Sequence, residues 1–133
     1  MRQITGVAVA VSGVALAAAL GTGGCSAART GSIRPAELAE RIEAGSAPTI
    51  LDVRTRDEYA DAHIPGAINI PVDELADRLP ELDAAHGDEV VVHCRSGRRA
   101  MLAEQILSEA GYTRLLDLEG HMQAWTQGGY PTE

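Results

Sequence analysis

Phenylalanine and lysine are both absent from this chain of 133 residues, which has a single tryptophan and three tyrosines. Without aromatic bulk, the core falls to Leu, Ile, Val and Ala. With no lysine, every basic side chain is an arginine. We attribute that, together with the abundant alanine, to base-composition bias and not to mechanism. Positive charge is scarce: 11 basic residues face 19 acidic ones, for a net charge of −8. Without residues 1–24, whose only charge is Arg2, the balance is −9. A surface this acidic argues against a nucleic-acid partner, because phosphate binding rests on basic side chains. There are only two cysteines, Cys25 and Cys94, which in an exported chain would invite a single bridge unless each has another use. No pair among His63, His86, His93 and His121 has the spacing of a metal site. There is no internal repeat and no sign of a second domain.

The first residues do not look like folded protein. Met1-Arg2-Gln3 supplies a short positive start, Ile4–Leu20 an apolar stretch, and Gly21-Thr22-Gly23-Gly24-Cys25 a small-residue end. That is the pattern of an export signal over 1–24. Small residues followed by cysteine resemble the lipobox of bacterial lipoproteins, although Thr22 stands where that signal usually has leucine. The resemblance implies that Cys25 becomes the lipidated first residue of the mature chain, with the membrane as a partner. Two readings stay open beside it. One is an uncleaved anchor, for which 17 apolar residues are marginal. The other is ordinary cleavage near Ala27-Ala28. All three place the domain outside the cytoplasm. Cys25–Ser32 is small and polar, as a flexible tether should be, so the folded domain is expected over 33–133.

Within that domain, Arg34–Gly45 predicts a helix, with proline in its first turn, Leu38, Ala39 and Ile42 on one face, and Gly45 as its stop. Thr49–Val53 is a short apolar strand. A helical turn is predicted around Asp57–Ala60, then a turn and strand through His63–Pro71. Val72–Leu79 predicts a second helix ended by Pro80. Glu89–His93 is the central strand, Tyr112–Leu118 another, and Gly120–Gln127 a last helix carrying Trp125. Strands apolar on both faces, alternating with helices, indicate an α/β fold. Its open, mostly parallel sheet is covered on both sides, with ligands at the carboxyl ends of the strands.

Cys94 stands at such an end. After Val90-Val91-Val92-His93 the chain reads Cys94-Arg95-Ser96-Gly97-Arg98-Arg99 and enters a helix. Leu102, Ala103, Ile106, Leu107 and Ala110 form its predicted apolar face, and Gly111 follows its end. Unpaired N–H groups, the helix dipole and three arginines surround the sulfur, and each favours thiolate over thiol. A free cysteine is more often a small buried hydrophobe. An inert thiol, however, gives three arginines no reason to cluster in an acidic chain. Cys94 is therefore the expected nucleophile. The loop amides from Arg95 to Arg99 can form a nest for an anion, with the arginines orienting it through paired hydrogen bonds.

Three separated stretches carry a family likeness over nearly the whole domain. They are Asp52-Val53-Arg54 with Glu58-Tyr59 and His63–Pro71; the loop at Cys94; and Glu119-Gly120 through Trp125 to Pro131. Here the chain resembles the single-domain rhodanese family of sulfurtransferases. Ala62 stands where many relatives have glycine, and His121 stands in place of the second of two glycines. The resemblance implies that the Cys94 thiolate takes the outer sulfur of a small anionic donor such as thiosulfate. The persulfide then gives it to a thiophilic acceptor: cyanide, a thiol or an acceptor protein. No metal, nucleotide or flavin cofactor is called for. Asp52, Arg54 and Glu58 match family positions, and their expected role is to pair with one another or with the loop and hold its shape. His93 points to the opposite face from Cys94 by the period of two, a core neighbour before a base. His63 belongs to its turn, His86 to the surface, Trp125 to the core. The role of His121 stays open.

Two rivals remain. A phosphatase or arsenate reductase of similar fold has cysteine, five residues, then arginine. In this chain the sixth position after Cys94 is Ala100, so the loop is one residue short of cradling a tetrahedral oxyanion. A persulfide carrier or sulfur-sensing module without turnover would share the same loop, and the residues do not separate it from an enzyme.

Overall fold

Five short strands, parallel at every pairing, make one sheet in the computed structural model, which describes residues 29–133. The expected export signal and the lipidation site Cys25 lie outside the described residues. Among those described, no helix is long and apolar enough to cross a membrane. In chain order the strands are β1 (Arg29–Ile33), β2 (Thr49–Asp52), β3 (Ile68–Asn69), β4 (Glu89–His93) and β5 (Arg114–Leu118). The helices are α1 (Pro35–Glu43), α2 (Arg56–Asp61), α3 (Leu75–Arg78), α4 (Arg98–Glu109) and α5 (His121–Gln127), with a 3-10 turn at Leu79–Leu82.

Across the sheet the order is β1-β5-β4-β2-β3. From β2 the chain passes through α2 to β3 at one edge; from β4 it passes through α4 to β5 in the opposite direction. The two connections part between β2 and β4, where an open parallel sheet leaves a crevice beyond its carboxyl ends. Asp52 and His93 are register partners at that point. Two apolar cores flank the sheet. On one face Leu75, Leu82, Ala100, Ala103 and Leu107 pack on Leu51, Val90, Val92 and Leu115. On the other Leu38, Met122 and Trp125 pack on Ile33, Ile50, Val91 and Leu118. The open α/β sheet covered on both faces is thus the observed architecture, and alternation along β4 sends Cys94 to the α4 side with Val90 and Val92.

Four local expectations need correction. Part of the expected tether is strand, because Arg29–Ile33 is an edge strand paired with Arg114–Leu118. Strand pairing runs through the backbone, so small residues can take part, and Ile33 anchors the strand in the core. The helix expected to Leu79 is one turn at Leu75–Arg78, and Pro80 does not stop the chain's coiling. It sits in the first turn of the 3-10 segment, where a missing N–H costs little. On α4 the buried stripe is Ala100, Ala103 and Leu107, whereas Leu102 is 50% exposed. At 3.6 residues per turn Leu102 is rotated about 100° from Ala103, outside the stripe. Finally, β5 begins at Arg114, two residues later than expected.

Candidate active site

The loop after β4 turns through Cys94, Arg95, Ser96 and Gly97 before α4 begins. The Cys94 side chain is 1% exposed, and its Sγ accepts a hydrogen bond from the Gly97 N–H at 3.0 Å. Gly97 is at φ 122°, a region open to glycine. A Cβ there would also lie 2.9 Å from His121 Nε2. The first turn of α5 holds the loop from behind: Met122 N–H donates to the Cys94 carbonyl at 3.0 Å and Gln123 N–H to the Arg95 carbonyl at 3.3 Å. With those carbonyls tied to α5, the peptide groups are oriented so that an N–H can face the sulfur. The Cys94 N–H itself donates to His121 Nδ1 at 3.3 Å.

The three loop arginines diverge. Arg99 Nη1 and Nη2 donate to Glu58 Oε2 and Oε1 at 2.6 and 3.0 Å. Its own charge is stabilised first by Glu58 and, more weakly, by the Cys94 sulfur within its reach. That guanidinium holds the Glu58 carboxyl down at about 2, with smaller help from the Thr55 backbone and hydroxyl and against partial burial. Arg95 lines a cleft of about 280 Å³ with Arg54, Glu58, Asp61, Ala62, Met122, Gln123 and Thr126. Arg98 lies along the outer side of α4 beside Met101, Leu102 and Gln105. The expected set of Arg95, Arg98 and Arg99 around one anion is therefore narrowed: Arg98 faces a different hollow, and Ser96 is exposed at the loop's tip.

Behind the loop the end of β2 is a closed network. Arg54 Nε donates to Asp52 Oδ1 at 3.0 Å and Nη2 to Asp52 Oδ2 at 2.7 Å, both groups buried. Arg54 Nη2 also donates to the Ala62 carbonyl at 2.8 Å. Ala62 is at φ −166°, extended backbone that needs no glycine. Asn69 Nδ2 donates to the Asp52 and Arg54 carbonyls, both at 3.0 Å. Glu58 belongs to a capping box on α2. The Thr55 hydroxyl accepts from the Glu58 N–H at 3.2 Å, and the Glu58 carboxylate accepts from the Thr55 N–H at 2.9 Å. His93 is wholly buried beside Asp52, its ring on the face away from the thiol, and burial above all pushes it down to about 4. His63 bonds the Tyr59 carbonyl at 2.9 Å, His86 is exposed, and Trp125 is buried with its N–H on the Pro131 carbonyl. Among the described residues, no three His, Cys, Asp or Glu side chains converge as a metal site.

Thr55 and Asn69 are the participants that sequence reasoning left out, and His121, whose role stood open, borders the loop. The T-x-x-E spacing of Thr55 and Glu58 could have given the capping box.

A reactive-type cysteine on a strand-to-helix loop, at the switch point of a parallel sheet, defines the class of protein. The chain belongs to the rhodanese-like domain family, which it matches over residues 34–128. It is 44% identical over 104 residues to an HTH-type transcriptional regulator of Mycobacterium tuberculosis, covering 76% of this chain and 44% of that one. It is 40% identical over 70 residues to the thiosulfate sulfurtransferase PspE of Escherichia coli, covering 53% of this chain and 67% of that one. The chain thus spans under half the length of the first relative and about two thirds of the second. Among solved structures, the Alr3790 protein from Anabaena matches with a TM-score of 0.69 and 33% identity, over 76% of this chain and 90% of that one.

Proposed function

We propose that this protein is a sulfurtransferase that moves sulfane sulfur from a small anionic donor, of which thiosulfate is the simplest, to cyanide or a thiol through a persulfide on Cys94. The observation that carries the reading is the Gly97 N–H aimed at Cys94 Sγ from 3.0 Å, in the loop that opens α4. In the first step the thiolate attacks the outer sulfur of thiosulfate. The new Sγ–S bond forms as the donor's S–S bond breaks, and sulfite leaves with the electron pair. In the second step the acceptor attacks the outer persulfide sulfur, and the pair of that S–S bond returns to Cys94 as thiolate. Charge balances in both steps without a proton, so the loop needs donors and no general base. Arg95, in the cleft wall, attracts the anion; Arg99, held by Glu58, adds its charge to the start of α4. The name of the Escherichia coli relative supports the donor class. An acceptor that is itself a protein thiol fits the same second step. Under this reading the domain works outside the cytoplasm, held at a membrane through Cys25.

Intact mass after thiosulfate treatment tests it. The wild-type protein gains one sulfur and Cys94→Ser gains none, and cyanide then releases the sulfur as thiocyanate. Failure of the wild type to gain sulfur, or release of nitrophenol from p-nitrophenyl phosphate in its place, overturns the assignment.

A further inference from the structure

His121 opens α5 at φ 53°, a left-handed backbone that disfavours any residue with a Cβ. Its ring is nevertheless buried and fully engaged. Nδ1 lies 3.3 Å from the Cys94 N–H, and Nε2 lies 3.5 Å from Asp117 Oδ1. An Nδ1 that accepts must carry its lone pair, so the ring proton belongs on Nε2, facing Asp117. Asp117, on β5, neighbours Glu104 of α4, whose Oε1 is buried with no hydrogen-bond partner. Burial, and after it Asp117, push the Glu104 carboxyl up to about 7. Burial pushes His121 down against the pull of Asp117. The other titratable group near the ring is His93 from β4; α5 itself brings none.

We propose that His121, aligned by Asp117, is a positioning residue for sulfur loading at Cys94: it fixes the Cys94 amide and so the aim of the thiol at Gly97. The inference rests on the persulfide reading above. Its consequence is a two-sided dependence on pH. Protonating His121 sets an N–H against the Cys94 N–H, donor against donor, and the loop must shift. Deprotonating Glu104 adds a second, unpartnered negative charge in the neighbourhood of Asp117, which disturbs the Asp117–His121 contact.

The test is the rate of persulfide loading from thiosulfate, followed by intact mass across the pH range on either side of neutrality. His121→Gly is expected to fold at least as stably as the wild type, because glycine suits φ 53°, yet to load about tenfold more slowly. His121→Asn, which tolerates the left-handed backbone and offers an acceptor oxygen, recovers most of the rate and loses the acid limb. Glu104→Gln cannot ionise, so the ratio of its rate to the wild-type rate rises above neutrality; the ratio cancels the titration of the thiol. His121→Gly loading at the wild-type rate, or a Glu104→Gln ratio flat with pH, overturns the proposal. A wild type that takes up no sulfur overturns the sulfurtransferase reading instead.

Discussion

Arg99 clasps Glu58 with both terminal nitrogens, at 2.6 and 3.0 Å, and Cys94 adds a smaller part to the stabilisation of the same guanidinium's charge. The pair spans 41 residues of chain and joins the capping box of α2 to the first turn of α4. A planar fork needs a two-pronged acceptor, and the amide of glutamine offers one oxygen and no charge.

Glu58→Gln is therefore expected to slow sulfur loading by about tenfold, through a loosened Arg99. The stability cost is small, below about 1 kcal/mol, because both side chains are about a third exposed. The sign with pH follows from a folded-state carboxyl at about 2 against its ordinary 4.5. The pair's stabilisation is present above the unfolded value and is lost as pH falls through about 2. Loading kinetics and urea unfolding of the two proteins side by side provide the check, and an unchanged loading rate would remove Arg99 positioning from the mechanism.

Arg95 and Arg98 make the opposite contrast, neighbours in sequence that face different hollows. Arg95→Ala is expected to raise KM for thiosulfate by about tenfold, the loss of one charge-assisted contact to an anion. Arg98→Ala is expected to change it less than about twofold, as befits an exposed charge partly screened by water and salt. Steady-state kinetics at fixed ionic strength tests this, and equal effects of the two substitutions would show that the cleft beside Met122 is not the donor's entrance.

What could be read in the residues was whatever depends on short-range periodicity. The apolar runs of β2 and β4, the stop at Gly45 and the cysteine at a strand end are all local patterns, and the structure has each of them. What escaped depends on partners distant in sequence. Thr30, Gly31 and Ser32 look like a linker by composition, and only the backbone of β5 makes them a strand. Three basic positions within one loop suggest one anion cradle, but Glu58, 41 residues away, takes Arg99, and the turn of α4 carries Arg98 off. His121 looked like a substitution in a glycine turn, and its meaning depends on Cys94, Gly97 and Asp117 all reaching it.

His93 Nε2 is buried with no hydrogen-bond partner, 3.8 Å from Asp52 Oδ2. Burial holds its folded-state value at about 4 against an ordinary 6.5. The unfolded chain therefore binds the proton first, and this residue withdraws stability as pH falls from 6.5 toward about 4. The amount is at most about 3–4 kcal/mol, since each tenfold change in proton affinity is worth about 1.4 kcal/mol. His93→Leu deletes the effect together with a polar atom that lacks a partner, so its stability near neutrality should change little. Chemical unfolding of both proteins near neutrality and again near about pH 5 measures the difference; equal losses on acidification would assign the acid sensitivity to other groups.

Gly97 meets two separate demands, and a substitution can be made to distinguish them. Its φ of 122° disfavours any side chain, and a Cβ would stand 2.9 Å from His121 Nε2. Gly97→Ala is expected to cost about 1–3 kcal/mol of stability from the backbone alone, with the collision added. His121→Gly removes the ring that would be struck but leaves the backbone as it was. In the double variant the collision is gone and the dihedral strain persists, so the two costs should not add. The interaction energy from a double-mutant cycle then measures the collision, and the residual cost of alanine in the glycine background measures the strain. Additive costs would mean that ring and loop do not touch, and the hydrogen bond between Cys94 and His121 would lose its structural support along with them.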